Sequence, residues 1–135
     1  MNNEGENIIL LPKDPMAEAR EIREKIHHAT GVDVGVIITD TCGRAFRRGQ
    51  TGSAIGWAGM TAIRDFRGDH DLFGLELEIT EEAVVDEIAA FSNFIMGESN
   101  NGVPVVKFSG RGTWKGHDSL YFTKEEDLIR KALHI

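Results

Sequence analysis

Val32-Asp33-Val34-Gly35-Val36-Ile37-Ile38-Thr39-Asp40-Thr41-Cys42-Gly43-Arg44-Ala45-Phe46-Arg47-Arg48-Gly49-Gln50 is the stretch whose reading decides the fold. Residues 32–39 are mostly β-branched and apolar, the composition of a buried strand, and they deliver the chain to Asp40. Residues 40–59 are rich in glycine and show no sustained helical period. They predict a long functional loop passing into an extended piece around residues 54–63. A buried strand that empties into such a loop is a usual ligand position in α/β proteins, so an α/β-type domain is expected.

Upstream, residues 7–11 read as an extended segment stopped by Pro12. Asp14-Pro15 then predicts a helix start, with Asp14 as N-cap and Pro15 at the first helical position, where its missing N–H costs nothing. Ala19, Ile22, Ile26 and Ala29 recur at helical spacing, and Gly31 closes the pattern. Downstream, residues 64–74 are turn-rich and residues 75–79 alternate like a half-buried strand. Thr80 is expected to cap a second helix, with Glu81 and Glu82 at its positive end, Val84, Ile88, Phe91 and Ile95 as its apolar stripe, and Gly97 at its close. A strand over residues 103–108 and a short one over 119–122 follow. The last helix is expected from Thr123, where Thr123-Lys124-Glu125-Glu126 is a capping box.

With 135 residues, one domain spanning 1–135 is expected. The apolar share of 41% and charged share of 27% are globular values that argue against disorder. No apolar run approaches the roughly 18 residues of a membrane span, and the N-terminus lacks a secretory pattern, so a cytoplasmic protein with no membrane partner is expected. The one cysteine, Cys42, makes no internal disulfide, in keeping with a reducing compartment. A net charge of −7 argues against nucleic acid as a partner, because polyanion affinity rests on Lys and Arg. Arg44, Arg47 and Arg48, with Arg64 and Arg67 soon after, make a local positive region that favours a small anionic ligand.

In the segment 40–50, Asp40 offers a hard oxygen ligand for Mg²⁺ or Mn²⁺. Gly43 would let a phosphate approach the backbone, and Arg44, Arg47 and Arg48 would fork onto its oxygens. Arg44 and Arg47 are the candidate catalytic pair, since fixed cations stabilise charge developing on phosphoryl oxygens. The competing reading is an exposed, salt-bridged loop whose glycines serve turns. A second acidic group comprises Asp65, Asp69, Asp71 and Glu76, and a third lies at Thr80-Glu81-Glu82. Glu81 is the acid chosen to join Asp40 on a metal, against the alternative of a helix-dipole role. Asp86 and Glu87 read as solvent-facing. Cys42 lacks an obvious base, and His27, His28, His70, His117 and His134 are not spaced as a metal pair and read as surface residues. Trp57 and Trp114 are either core residues or a wall over a planar ligand.

Several short motifs in one order resemble the C-terminal half of the coenzyme F420-0:L-glutamate ligase, or gamma-glutamyl ligase, family. They are Leu10-Leu11-Pro12-Lys13-Asp14-Pro15, Val36-Ile37-Ile38-Thr39-Asp40-Thr41, Gly43-Arg44, Arg47-Arg48-Gly49-Gln50, Ala54-Ile55-Gly56 and Gly59-Met60. Asp65-Phe66-Arg67-Gly68, Asp71-Leu72-Phe73-Gly74, Asp86-Glu87-Ile88-Ala89, Met96-Gly97-Glu98 and Pro104-Val105-Val106 continue the series. The chain departs from the family pattern at Cys42, where an aromatic residue is usual, at Leu75, where arginine is common, and at Ser109-Gly110, where Arg-Gly is usual.

The resemblance implies an α+β fold, a mixed sheet with three main helices in an intertwined homodimer. It implies ligation of L-glutamate to a deazaflavin coenzyme F420 precursor, with GTP as co-substrate and Mg²⁺ or Mn²⁺ as cofactor. By motif, Asp40 would be a metal ligand, Gly43 would touch the nucleotide, and Thr80 and Glu81 would complete the metal site. Family members are usually about twice this length, so a separate N-terminal polypeptide is a further expected partner. The alternative function is a non-catalytic nucleotide- or phosphate-binding homologue with a regulatory or unknown role.

Overall fold

A computed structural model describes residues 10–110 and 114–135. Asp14 opens helix α1 (Pro15–Thr30) as expected, its Oδ1 accepting the Ala17 N–H at 2.9 Å, and Gly31 closes it in the left-handed region at φ 72°. Ala19 is fully buried, whereas Ile22 and Ala29 turn outward, so the apolar face is narrower than the sequence stripe. The expected segment 7–11 falls largely outside the described residues; Leu10 and Leu11 carry no regular structure.

Residues 40–50 are not a loop. Strand β1 (Val36–Arg44) runs straight through Asp40, turns at Ala45-Phe46, and returns as β2 (Arg47–Ala58), the two forming an antiparallel hairpin. Two of the glycines, Gly52 and Gly56, misled the reading because they serve close approach within a strand. A Cβ on Gly52 would lie 2.9 Å from the Ala89 carbonyl carbon, and one on Gly56 would lie 2.8 Å from the Pro15 Cβ.

Those two glycines meet different helices because the hairpin carries a bulge. Ile38 pairs with Gly56 while Thr39 pairs with Ala54, leaving Ile55 unpaired and reversing the alternation. Ala54 and Trp57 face the core with Val85 and Ala89 of α2 (Val84–Met96), whereas Gly56 lies under Pro15 of α1. Gly56, Trp57 and Ala58 are consequently buried in succession, a pattern that needs cover on both faces.

A second, smaller antiparallel sheet has the order β4-β3-β5, built from β3 (Ile63–Asp65), β4 (Glu81–Glu82) and β5 (Gly116–His117). Thr80 therefore does not cap α2. The Thr80 carbonyl accepts from Phe66 N–H at 3.0 Å, Glu81 and Glu82 pair with Asp65 and Arg64, and the helix begins after Ala83 with no side-chain cap. The buried stripe of α2 is Val85, Ala89 and Ser92, one position on from the expected one, and Phe91 and Ile95 are exposed. The seam against Gly52 admits only small side chains, and Ala89 meets that requirement where Ile88 would not. Asp86 also turns inward, contrary to its solvent reading: its Oδ1 accepts the Ala54 N–H at 2.8 Å.

Residues 75–79, 103–108 and 119–122 do not form strands; the first contributes only the bridge between His70 and Glu76. The final helix, α3 (Leu128–Leu133), begins at Asp127, which caps the Ile129 and Arg130 N–H groups. Half of the expected capping box survives as an isolated turn, with Glu126 accepting the Thr123 N–H at 3.0 Å. The class is thus α+β, with three helices among the described residues, whose strands fall into two antiparallel sheets rather than one mixed sheet. Among the described residues, no helix is long and apolar enough to cross a membrane.

Candidate functional site

The hairpin spreads the residues that a loop would have gathered. Asp40 sits opposite Ser53, and Arg44 pairs with Arg47 at the tip, four residues or about 13 Å further along an extended strand. Arg44, Arg47, Arg48 and Gly43 are exposed there, and none of these three arginines makes an ion pair among the described residues. Open space surrounds Gly43, so its backbone is approachable. Cys42 bonds Ser53 Oγ through its sulfur at 2.7 Å.

Glu81 belongs to the other sheet. Strand β1 makes no contact with β4, so Asp40 and Glu81 stand on separate sheets. Glu81 instead meets two residues that sequence reasoning had not paired with it. Asp65 lies directly opposite Glu81 in the ladder, and His117 lies opposite Ile63, two residues from Asp65 and on the same face. One donor atom from each of Asp65, Glu81 and His117 falls within 4.8 Å of the other two. Gly116 permits this approach: a Cβ there would collide with the Ile63 carbonyl oxygen and lie 2.9 Å from its carbon.

Hydrogen bonds tie the group together. Ser119 N–H donates to His117 Nδ1 at 3.2 Å, and His117 Nε2 lies 2.6 Å from Glu81 Oε1. Arg67 forks onto Asp65 and reaches Glu81 at 3.2 Å, and Lys115 Nζ donates to the Arg67 carbonyl at 2.9 Å. The Arg67 guanidinium, then its backbone N–H, hold the Asp65 carboxyl well below the usual carboxylate range, and Asp65 in turn raises Arg67. Two carboxylates and one imidazole suit Mn²⁺ better than Mg²⁺, which prefers an all-oxygen shell. Arg67 already sits where such a cation would, so an ion entering here has to displace a guanidinium.

Asp65 was one of four acids in the turn-rich region, and His117 had been read as a surface residue. More than fifty residues separate them, so no local spacing announces the pair. Trp57 follows its core reading, buried with its Nε1 donating to Asp118 at 2.9 Å.

An α+β chain with a carboxylate-imidazole group on one small sheet and an arginine-tipped hairpin as the other defines the class. The family follows from comparison: residues 1–110 match the model of the F420-0:gamma-glutamyl ligase family, and the chain belongs to that family. It is similar to the coenzyme F420:L-glutamate ligase of Haloarcula marismortui, at 49% identity over 98% of this chain and 52% of the relative. The proteins of that name from Archaeoglobus fulgidus and Methanocaldococcus jannaschii are each 47% identical, over 98% and 96% of this chain and 54% and 53% of their own. The chain spans about half the length of these relatives.

Proposed function

We propose that the chain works in a ligase that joins L-glutamate to a deazaflavin coenzyme F420 precursor. GTP drives the reaction, Mg²⁺ or Mn²⁺ is the cofactor, and a cytoplasmic homodimer is the working unit. The observation that carries this reading is identity of 49% across 98% of the chain with a protein bearing the ligase name.

Amide formation needs a carboxylate oxygen turned into a leaving group. Transfer of the GTP γ-phosphoryl group to the precursor carboxylate gives an acyl phosphate and GDP. The glutamate amine then adds to the acyl carbon, phosphate departs, and the amine proton passes to solvent. Charge develops on phosphoryl oxygens, and fixed cations stabilise it. Arg44, Arg47 and Arg48 supply guanidinium groups for that task, and Gly43 leaves its backbone open to a phosphate. A bound divalent ion would supply the remaining positive charge. Asp40, and separately Thr80 and Glu81 with Asp65 and His117, are the residues proposed to hold two such ions.

The relatives' greater length supports a partner that fills the remaining half of the site, in the same polypeptide or a separate one. An aromatic surface supports such packing: Phe91 lies 6.3 Å from Phe94 and 5.8 Å from Phe108, and all three rings are exposed. Calorimetric titration with Mg²⁺-GTP and Mg²⁺-GDP tests the reading. Binding of either, weakened in Asp40→Ala, is expected; a folded chain that binds neither nucleotide refutes GTP dependence for this chain acting alone.

A further inference from the structure

A cleft of about 330 Å³ opens between α1 and the end of β2, walled in part by Asp118, the residue after His117, and lies at the small end of the range for ligand sites. Arg20 and Arg23 bring positive charge to its walls and Glu24 and Asp118 negative charge, while Met16, Trp57 and Met60 supply apolar surface.

The polar walls are held in position. Asp118 Oδ1 accepts two hydrogen bonds, from Trp57 Nε1 at 2.9 Å and from Ala62 N–H at 3.0 Å, while Oδ2 has no partner among the described residues. Arg23 donates through Nε to the Val34 carbonyl at 2.9 Å and through Nη2 to Asp33 at 3.1 Å, which leaves Nη1 unused by either bond. Gly59, at φ 78°, makes room for that arrangement. A Cβ there would lie 2.7 Å from the Val34 oxygen and collide with Arg23 Nε. Arg20, one helical turn before Arg23, makes no ion pair among the described residues.

The Arg20 guanidinium, the remaining Nη1 of Arg23 and the oriented Asp118 carboxylate, lining one small cleft, match the two ends of a zwitterion. Carboxylates fork onto arginine, an ammonium donates to Asp118 Oδ2, and a short aliphatic body lies against methionine and tryptophan. We propose that this cleft binds the α-amino-acid co-substrate, L-glutamate, with Arg20 and Arg23 taking its carboxylates and Asp118 its ammonium group. The assignment rests on the ligase reading above, which supplies glutamate as the amino acid.

Titration of the full chain with L-glutamate, and with glutarate as the same dicarboxylate lacking an amine, tests it. L-glutamate should bind, glutarate at least about fivefold more weakly, and Arg20→Ala should weaken L-glutamate by about tenfold, the loss of a charge-assisted bond. Asp118→Asn should reduce the preference for glutamate over glutarate. If that variant does not fold, Arg20→Ala, whose side chain is exposed on α1, carries the test. Unchanged affinity in Arg20→Ala, equal affinity for glutarate, or a folded chain that binds no L-glutamate overturns the assignment. In a ligation assay, Arg20→Ala should raise KM for glutamate and leave KM for GTP unchanged. GTP-driven turnover with an unchanged glutamate KM would sink the cleft and leave the ligase standing. Arg20-dependent glutamate binding with no turnover would do the reverse.

Discussion

Arg67 and Asp65 are joined by two side-chain hydrogen bonds, Nε to Oδ1 at 2.9 Å and Nη2 to Oδ2 at 2.8 Å, while the Arg67 backbone N–H donates to the same Oδ1 at 2.9 Å. One residue thus neutralises Asp65 and still reaches Glu81. The pH behaviour of the small sheet follows from this. The Asp65 carboxyl titrates below its unfolded value, so its contribution to stability is present above about pH 4 and is lost as pH falls from there toward the folded value. Arg67→Ala should raise the Asp65 titration midpoint toward the usual carboxylate range, with the retained backbone N–H still lowering it in part, and should weaken the acid sensitivity accordingly. A midpoint unmoved in the variant would mean that the guanidinium is not what lowers it.

Arg67 also competes with any cation for the two carboxylates. Mn²⁺ added to the chain should broaden the His117 ring resonances, and Arg67→Ala should strengthen that binding several-fold by vacating the place between Asp65 and Glu81. Glu81→Gln should abolish the broadening. Broadening that persists at His117 in Glu81→Gln would remove Glu81 as the metal ligand.

Gly52 and Gly56 are predicted to be intolerant of even one added methyl group, because backbone atoms of α2 and α1 occupy the space. Each Gly→Ala change should lower unfolding free energy by about 1–3 kcal/mol, the usual range for overpacking a close contact. Gly43→Ala, with nothing within 4 Å, serves as the control and should change stability little. Urea denaturation of the three variants decides the matter, and equal stabilities would contradict the close approach of both helices.

Asp86 supplies an acceptor for the part-buried N–H of Ala54, next to the bulge at Ile55. Asp86→Ala should cost about 1–3 kcal/mol, and Asp86→Asn, which keeps an oxygen acceptor, distinctly less. Faster hydrogen exchange of the Ala54 amide in the alanine variant is the direct sign. An unaltered exchange rate would show that the amide has another acceptor.

What was legible in the sequence is what local chemistry dictates. Asp14, Pro15 and Gly31 mark the ends of α1 because capping needs those residue types at those places, and Gly97 marks the end of α2 for a related reason. The hairpin was misread because Gly43, Gly49 and Gly52 look like loop residues when the helix that presses on Gly52 is out of view. Thr80-Glu81-Glu82 resembles a helix start to any local rule; only pairing with Arg64 and Asp65, from a distant segment, draws it into a sheet. The same non-local pairing brings His117 to Glu81, so the Asp65-Glu81-His117 group was out of reach of spacing arguments. The family motifs carried Asp40 and Glu81 individually, and it took the topology to show that they belong to different sheets.

The most direct measurement is the mass of the deazaflavin product after incubation with GTP, L-glutamate and Mn²⁺, run with the chain alone and with the complementary half of a relative. A product heavier by one glutamyl residue, formed only with GTP and lost in Asp40→Ala, is the predicted result. A folded, nucleotide-binding chain that adds no glutamate under either condition would contradict the ligase reading.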